Sequence, residues 1–414
     1  MSTQRLPQSG ATLHSGTFSP SYFEAIEAAF VGKSSLVLTS ADGAWRSKLD
    51  ELDSSLARFQ ITAKQAPLVL ATSGSTQGFK WVLLSREGIA HVLESLANVL
   101  SLKASDHLAV TAPAFHCFGT VVGMLLARHV GCRFSVLPRY SARQWMHLID
   151  REQCTHLLGV PTVFQDLLDI LSAPGFQGAG GPRRVLGSLR GGIIAGAPVS
   201  KKLFDLSKQN LGLPELTIGY GLTECSPAVT HTPIGFELKN DFEVGMPIPG
   251  TRIRIAADGE AWIQGPQLAY ATSINGEVSR IHEVRTGDLL KSDGRDGWTF
   301  AGRTAEILNQ GGEKLSLLEV DQMLCVRFEG SGSQFLAYCA KDERLGQRLG
   351  VAVLGSAPSD AQISKAILER FGKFFSACVI HRVLEFNRLP SGKVTRHFEA
   401  GTNTLEGALH ERTA

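Results

Sequence analysis

Thr72-Ser73-Gly74-Ser75-Thr76-Gln77-Gly78-Phe79-Lys80 gathers small residues, hydroxyls and a lysine directly after an apolar stretch. Polyphosphate oxygens need many donors at close range. Small residues offer backbone N–H groups without steric cost, hydroxyls add donors, and a lysine adds charge. No G-K-[ST] follows the first glycine, so this is not the usual nucleotide loop. On its own the run fits a Gly/Ser surface turn equally well. Tyr220-Gly221-Leu222-Thr223-Glu224 follows Leu216 to Gly219, read as a short strand. Open α/β sheets place ligands at strand ends, and a hydroxyl beside a carboxylate can bind a phosphate oxygen and its Mg²⁺ together. In isolation, an exposed loop with a solvated glutamate is the plainer reading. Thr286-Gly287-Asp288 and Gly302-Arg303 form a third set. An aspartate can accept both hydroxyls of a ribose, and an arginine can bridge ribose and phosphate. Pro390-Ser391-Gly392-Lys393, near the chain end, is by itself a turn with an exposed lysine.

The elements that must position these residues alternate. Pro67 to Ala71 reads as a buried strand. Ser85 is an N-cap, after which Ile89, Val92, Leu93, Leu96, Val99 and Leu100 repeat at helical spacing. His107 to Thr111, Arg133 to Leu137 and Thr155 to Val160 read as further strands, with helical periods at Ser141 to Arg151 and Pro161 to Leu171 among them. This alternation predicts a layered α/β core. After Pro227 the texture changes to short strands. Arg252 to Ala256, the turn Ala257-Asp258-Gly259, and Glu260 to Gln264 read as a hairpin. From about Thr304 helices and strands mix again. The expected fold is therefore a large α/β domain with a β-rich subdomain, residues 1–302, followed by a small α+β domain, residues 303–414.

Length and composition fit that organisation. A chain of 414 residues suits one large domain plus a smaller one. With 43% hydrophobic and 19% charged residues it is an ordinary folded protein, not a disordered one. The net charge of +2 gives no electrostatic reason to expect nucleic acid or an anionic membrane as partner. Met1 to Pro20 is polar, without the apolar run of a secretory signal, and no apolar stretch is long enough to span a bilayer. The seven cysteines are scattered singly with no C-x-x-C pair, which points to free thiols in a reducing cytoplasm.

Taken in order, these blocks resemble the adenylate-forming superfamily of acyl-CoA synthetases, carrier-protein adenylation domains and luciferases. The matching blocks are Thr72 to Lys80, Tyr220 to Glu224, Thr286 to Asp288, Gly302 to Val320 and Phe386 to Arg396. Weaker echoes lie at Pro113-Ala114-Phe115-His116, Gly196-Ala197-Pro198 and Gly245-Met246-Pro247. The resemblance implies a ligase that joins a carboxylate to AMP with loss of pyrophosphate and then passes the acyl group to a thiol. It places Thr72, Ser73, Gly74, Ser75, Thr76 and Lys80 against the β- and γ-phosphates of ATP, Thr223 against the α-phosphate, and Glu224 on Mg²⁺. Tyr220, Gly221 and Gly196, Ala197 and Pro198 would flank adenine. Asp288 would hold the ribose with Arg303 nearby. Lys393 matches a lysine on a mobile small domain that offsets charge between carboxylate and α-phosphate. When that domain rotates, Gly311, Gly312, Glu313 and Lys314 would line a thiol tunnel.

Several positions depart from the family's pattern. Gln77 and Phe79 stand where glycine and proline are usual, and Trp81 where glycine follows the lysine. Gln77 and Trp81 would put bulk where backbone approaches the phosphates. Ala305 occupies the hinge position, and the segment before the loop is shorter than in most relatives. That shortening would expose apolar surface for a partner subunit, a homodimer among the options. In the pocket block, His116 replaces the aspartate that pairs with the ammonium of α-amino acids. A buried ammonium would be left unpaired there, so Phe115, His116, Phe118 and Gly119 point to an apolar or aromatic acid. Coenzyme A is the expected acceptor. A carrier protein offers the same phosphopantetheine arm and an amide-forming ligase would use the same adenylate, while a non-catalytic nucleotide or acyl-AMP binding module is the reading from another class.

Overall fold

The computed structural model describes residues 3–15, 18–40, 45–74, 78–137, 139–173, 186–295 and 297–386, with 394 and 396. They fall into two units, a larger one within 1–286 and 291–300 and a smaller one within 287–290 and 301–414.

In the larger unit, strands His107–Val110, His156–Gly159, Gly191–Ala195 and Glu215–Tyr220 run side by side and parallel. Parallel strands covered on both faces read as continuous apolar runs, and both His107–Val110 and His156–Gly159 are buried along their whole length. Side chains then alternate between two cores. Leu108, Val110, Leu158 and Ile193 pack on one face with helix Arg86–Val99 and the segment 118–127. Ala109, Leu157, Ile194, Leu216 and Ile218 pack on the other with helices Ala142–Glu152, Pro161–Ser172 and Lys201–Asn210. The sheet reaches eleven strands, extended by the β-rich stretch that holds the hairpin Arg252–Ile255/Glu260–Gln264. Helix Arg86–Val99 starts where the sequence places it, with Ser85 Oγ accepting from Gly88 N at 2.9 Å.

A second sheet of seven strands contains the hairpin Leu68–Gly74/Gly78–Leu84. Its strands also alternate. Leu68, Leu70, Val82 and Leu84 join the core of helix Arg86–Val99. Val69, Trp81 and Leu83 join a separate core with Trp45, Leu52 and Leu56. This corrects the reading of Trp81 as bulk beside the phosphates. Its ring is 3% exposed and faces away from the side that Lys80 shares with Val82, because neighbouring strand residues point to opposite faces.

The smaller unit has a five-stranded sheet whose core joins Leu308, Val320, Leu349, Val351 and Ile367. The described residues thus form a mixed α/β protein, the class the sequence implies.

Candidate active site

The parallel strands end at one edge of the sheet, and three of the expected binding segments leave from it. His107–Val110 leads into Pro113–Gly119, Gly191–Ala195 into Gly196–Pro198, and Glu215–Tyr220 into Gly221–Glu224. Carboxyl ends of strands in such sheets are where ligands bind. The chain turns tightly here. A Cβ on Gly221 would lie 1.7 Å from Pro227 O, and one on Gly119 would lie 2.2 Å from Pro113 O, so neither position accepts a side chain without backbone movement. Gly196 has φ +86°, in the region that glycine enters without steric cost.

The described residues of the phosphate run, 72–74 and 78–80, sit at the end of the hairpin 68–84. Thr72 pairs with Lys80, Ser73 with Phe79, and Gly74 with Gly78. Thr72 Oγ1 donates to Lys80 O at 3.4 Å. Ser75, Thr76 and Gln77 lie outside the described residues.

Lys80 carries the link between the motifs. Its ammonium forms an ion pair with the Glu224 carboxylate, with side chains only 26% and 13% exposed. Glu224 sits on the single turn Thr223–Cys225, and its carbonyl accepts from Ala269 N at 2.8 Å. The turn is closed by Cys225 N donating to Leu222 O at 2.8 Å. Thr223 is thereby held beside the Lys80–Glu224 pair in sequence and in space. Cys117 and Cys225 are buried nearby. Burial first, and then the Glu224 charge, hold both thiols well above their usual pKa. They are neutral and unsuited to act as nucleophiles.

The pocket block folds on itself. His116 N donates to Pro113 O at 3.1 Å, and Thr120 N to His116 O at 3.0 Å. The Phe115 and His116 rings lie 4.7 Å apart. The following residues, Phe118–Leu125, form a π-helix, a wide winding that recurs at functional sites. Tyr220 lies at the end of its strand, its ring 6.4 Å from that of Phe300.

In the smaller unit, Arg303 Nε lies 3.1 Å from a carboxylate oxygen of the buried Asp288. Thr304 Oγ1 donates to Gly287 O at 3.1 Å, tying the same two segments. Thr286, by contrast, belongs to the larger unit and donates to Ala261 O at 2.8 Å. Gly311 and Gly312 form the two-residue turn of the hairpin Ile307–Gln310/Glu313–Ser316, at φ +57° and +97°. Positive φ at both central residues is what glycine supplies in such hairpins. The buried Gln310 fixes the base of the turn, donating to Phe374 O at 2.7 Å and accepting from Leu349 N at 2.9 Å. Gly311, Gly312, Glu313 and Lys314 are exposed.

Lys393 lies outside the described residues. Arg396, three positions on, was not singled out from the sequence, and its role emerges only in three dimensions. Its guanidinium reaches Asp321 at 2.7 Å and Glu306 at 3.2 Å, and donates to Ala337 O at 2.7 Å. Burial pushes Asp321 up to about 6 against the opposing pull of Arg396. No local sequence signal separates this arginine from a solvated one.

Comparison with known proteins agrees with this architecture. The profile of a family described as AMP-binding enzyme matches residues 23–270. The chain belongs to that family. It is 29% identical to the acyl-CoA ligase sidI of Aspergillus fumigatus over 332 residues, covering 73% of this chain and 54% of the relative. It is 28% identical to the putative acyl-CoA synthetase YngI of Bacillus subtilis over 276 residues, covering 61% and 48%. The chain thus spans about half the length of these curated relatives. In fold it is similar to O-succinylbenzoate coenzyme A synthetase (MenE) from Bacillus subtilis, solved in complex with ATP and magnesium ion. The TM-score is 0.74 at 19% identity, covering 93% of this chain and 88% of that one. ATP-bound MatB from Rhodopseudomonas palustris gives a TM-score of 0.68 at 20% identity, covering 92% and 77%. At these identities the likeness is one of fold.

Among the described residues, no helix is long and apolar enough to cross a membrane.

Proposed function

We propose that this chain activates an apolar or aromatic carboxylic acid with ATP and transfers the acyl group to the thiol of coenzyme A. The observation that carries the reading is the Lys80–Glu224 pair, which brings the phosphate-loop hairpin onto the turn of Thr223 at the carboxyl edge of the parallel sheet.

In the first half-reaction a carboxylate oxygen attacks the α-phosphorus of ATP. The bond to the β-phosphate oxygen breaks and pyrophosphate leaves. A carboxylate is a poor electrophile, and AMP makes it a good one. In the second, a thiol sulfur attacks the acyl carbon, loses its proton, and AMP leaves. Lys80 and the hydroxyls of the 72–76 run hold the β- and γ-phosphates, and Thr223 holds the α-phosphate. Gly196 to Pro198, Tyr220 and Gly221 flank adenine. Asp288 accepts from the ribose, with Arg303 orienting it.

Glu224 and Thr223 offer oxygen donors of the kind Mg²⁺ selects. Mg²⁺ is commonly held through one or two carboxylates and the substrate's phosphates, a mode that a single Glu224 carboxylate serves. When bound, that ion offsets the charge of the phosphates. Lys393 supplies a positive charge to the pentavalent phosphorus. We assign it to a small mobile domain, residues 303–414, which then presents Gly311 to Lys314 to the thiol, while residues 1–302, with Arg303 at the boundary, hold the nucleotide. The seven free cysteines fit a reducing cytoplasm.

His116, in place of a carboxylate, and the neighbouring Phe115, Phe118 and Gly119 set the acid class. A panel of aryl, aliphatic and α-amino acids in acid-dependent ATP–pyrophosphate exchange tests this. Aryl or aliphatic acids are expected to support exchange. An α-amino acid as the best substrate by a wide margin would overturn the pocket assignment.

A further inference from the structure

Tyr22 stands on helix Pro20–Phe30, far from every motif in sequence. Its side chain is fully buried. Three rings enclose it, His14 at 5.2 Å, Phe18 at 5.1 Å and Phe23 at 5.5 Å. Its hydroxyl meets Thr120 Oγ1 at 2.7 Å. Thr120 is also fully buried, and its hydroxyl donates to Ala114 O. A threonine has one hydroxyl proton. Since that proton goes to Ala114 O, Tyr22 must be the donor to Thr120. The result is a directed chain, from the Tyr22 O–H to Thr120 Oγ1 and from the Thr120 O–H to Ala114 O.

Ala114 and Thr120 bracket Phe115, His116 and Gly119. The chain here is also tied by the turn from His116 N to Pro113 O and by the bond from Thr120 N to His116 O that leads into the π-helix. Gly119 lies against Pro113 O with no room for a side chain, so the segment cannot slide without breaking this relay. A phenolic hydroxyl is not needed to fill an apolar core. Burying one costs free energy unless it is hydrogen-bonded, and phenylalanine would fill the same space.

We propose that Tyr22 is a positioning residue for the acid-binding segment 113–120, acting through Thr120 to fix Phe115 and His116. This rests on the assignment of that segment to the acid under the proposed function. The relay contains no residue of the Lys80 hairpin or of the Thr223–Cys225 turn, and Tyr22→Phe keeps the ring that packs in the core shared with that hairpin, so the loss of the hydroxyl falls on the acid and not on ATP.

The test uses Tyr22→Phe, Thr120→Val and Thr120→Ser in the full chain. Tyr22→Phe deletes one buried oxygen and keeps the ring, while Thr120→Ser keeps the relay. In pyrophosphate exchange, Tyr22→Phe and Thr120→Val are expected to raise KM for the acid about 3- to 10-fold, the scale of one buried neutral hydrogen bond. KM for ATP should stay within about twofold, and Thr120→Ser should restore wild-type behaviour. Hydrogen exchange of the peptide covering 113–120 should quicken in Tyr22→Phe and Thr120→Val only. An unchanged acid KM, or acid and ATP KM rising together, would overturn the proposal. If the wild type shows no acid-dependent exchange, the functional reading fails instead. Hydrogen exchange then still decides the relay, and equal protection of 113–120 in wild type and both variants would refute it.

Discussion

Glu224→Gln removes one charge and almost no volume, so it isolates what the carboxylate does. In the structure that carboxylate pairs with Lys80 while both side chains are largely shielded from solvent. Glutamine keeps an acceptor oxygen for the Lys80 ammonium, so the hydrogen bond persists with a neutral acceptor. The stability cost is then the difference between a charge-assisted and an ordinary bond, about 1 kcal/mol. Catalysis should suffer more. If Glu224 acts against the phosphates, its loss is expected to slow adenylate formation at least about tenfold, or about 1.4 kcal/mol in transition-state stabilisation. The assay is the initial rate of pyrophosphate exchange at saturating ATP, titrated with Mg²⁺, beside thermal unfolding of the same samples. The Mg²⁺ requirement should move to higher concentration. Lys80→Met should instead raise KM for ATP, and the double variant should fall short of the sum of the two single effects, as expected for directly contacting residues. Wild-type rates in Glu224→Gln at saturating ATP and Mg²⁺ would remove the carboxylate from the mechanism.

Lys393→Ala is expected to lower pyrophosphate exchange roughly 10²-fold, the scale of one strong electrostatic contact, while thioester formation from supplied acyl-adenylate changes much less. Equal loss of both half-reactions would contradict alternation of the small domain. Gly119→Ala places a methyl against Pro113 O, and should cost about 1–3 kcal/mol, read as a lowered unfolding midpoint. An unshifted midpoint would show that the close approach is not required. His156 is fully buried, and burial, then the Arg190 charge, depress its pKa to about 4. The folded state therefore binds this proton less readily than the unfolded chain. Its contribution to stability is whole above the ordinary histidine pKa of about 6.5 and is lost as pH falls toward 4. Denaturant melts from pH 7 to pH 5 should show this decline, shallower in His156→Gln. An identical slope in the variant would rule the histidine out as its source.

Much of this was legible in one dimension. Three of the four parallel strands are legible as short apolar runs, whereas Gly191–Ala195 opens on two glycines and gives no such run, and Ser85 marks its helix through a cap that needs only local geometry. The binding blocks are readable because glycines are forced wherever backbone meets backbone, as at Gly221 and Gly119. What stayed hidden depends on partners distant in the chain. Nothing local tells that Lys80 will meet Glu224, that Tyr22 will donate to Thr120, or that Arg396 will be gripped by Asp321 and Glu306. Trp81 was misjudged for a different reason. Its neighbour in the motif suggested the phosphates, whereas strand alternation sends its ring to the opposite face and a separate core. The run Val121 to Ala127 is apolar, but composition carries no sign that its start winds as a π-helix.

Formation of an acyl-adenylate is tested most directly by the fate of the carboxylate oxygen. The acid that best supports exchange would be labelled with oxygen-18 in its carboxylate and turned over with ATP, Mg²⁺ and coenzyme A, and the products read by mass spectrometry. Attack of the carboxylate on the α-phosphorus, followed by thiolysis at the acyl carbon, leaves one carboxylate oxygen on phosphorus. The expected products are therefore acyl-CoA and AMP carrying a single oxygen-18. Unlabelled AMP, or label in orthophosphate with ADP as the nucleotide product, would contradict acyl-adenylate formation.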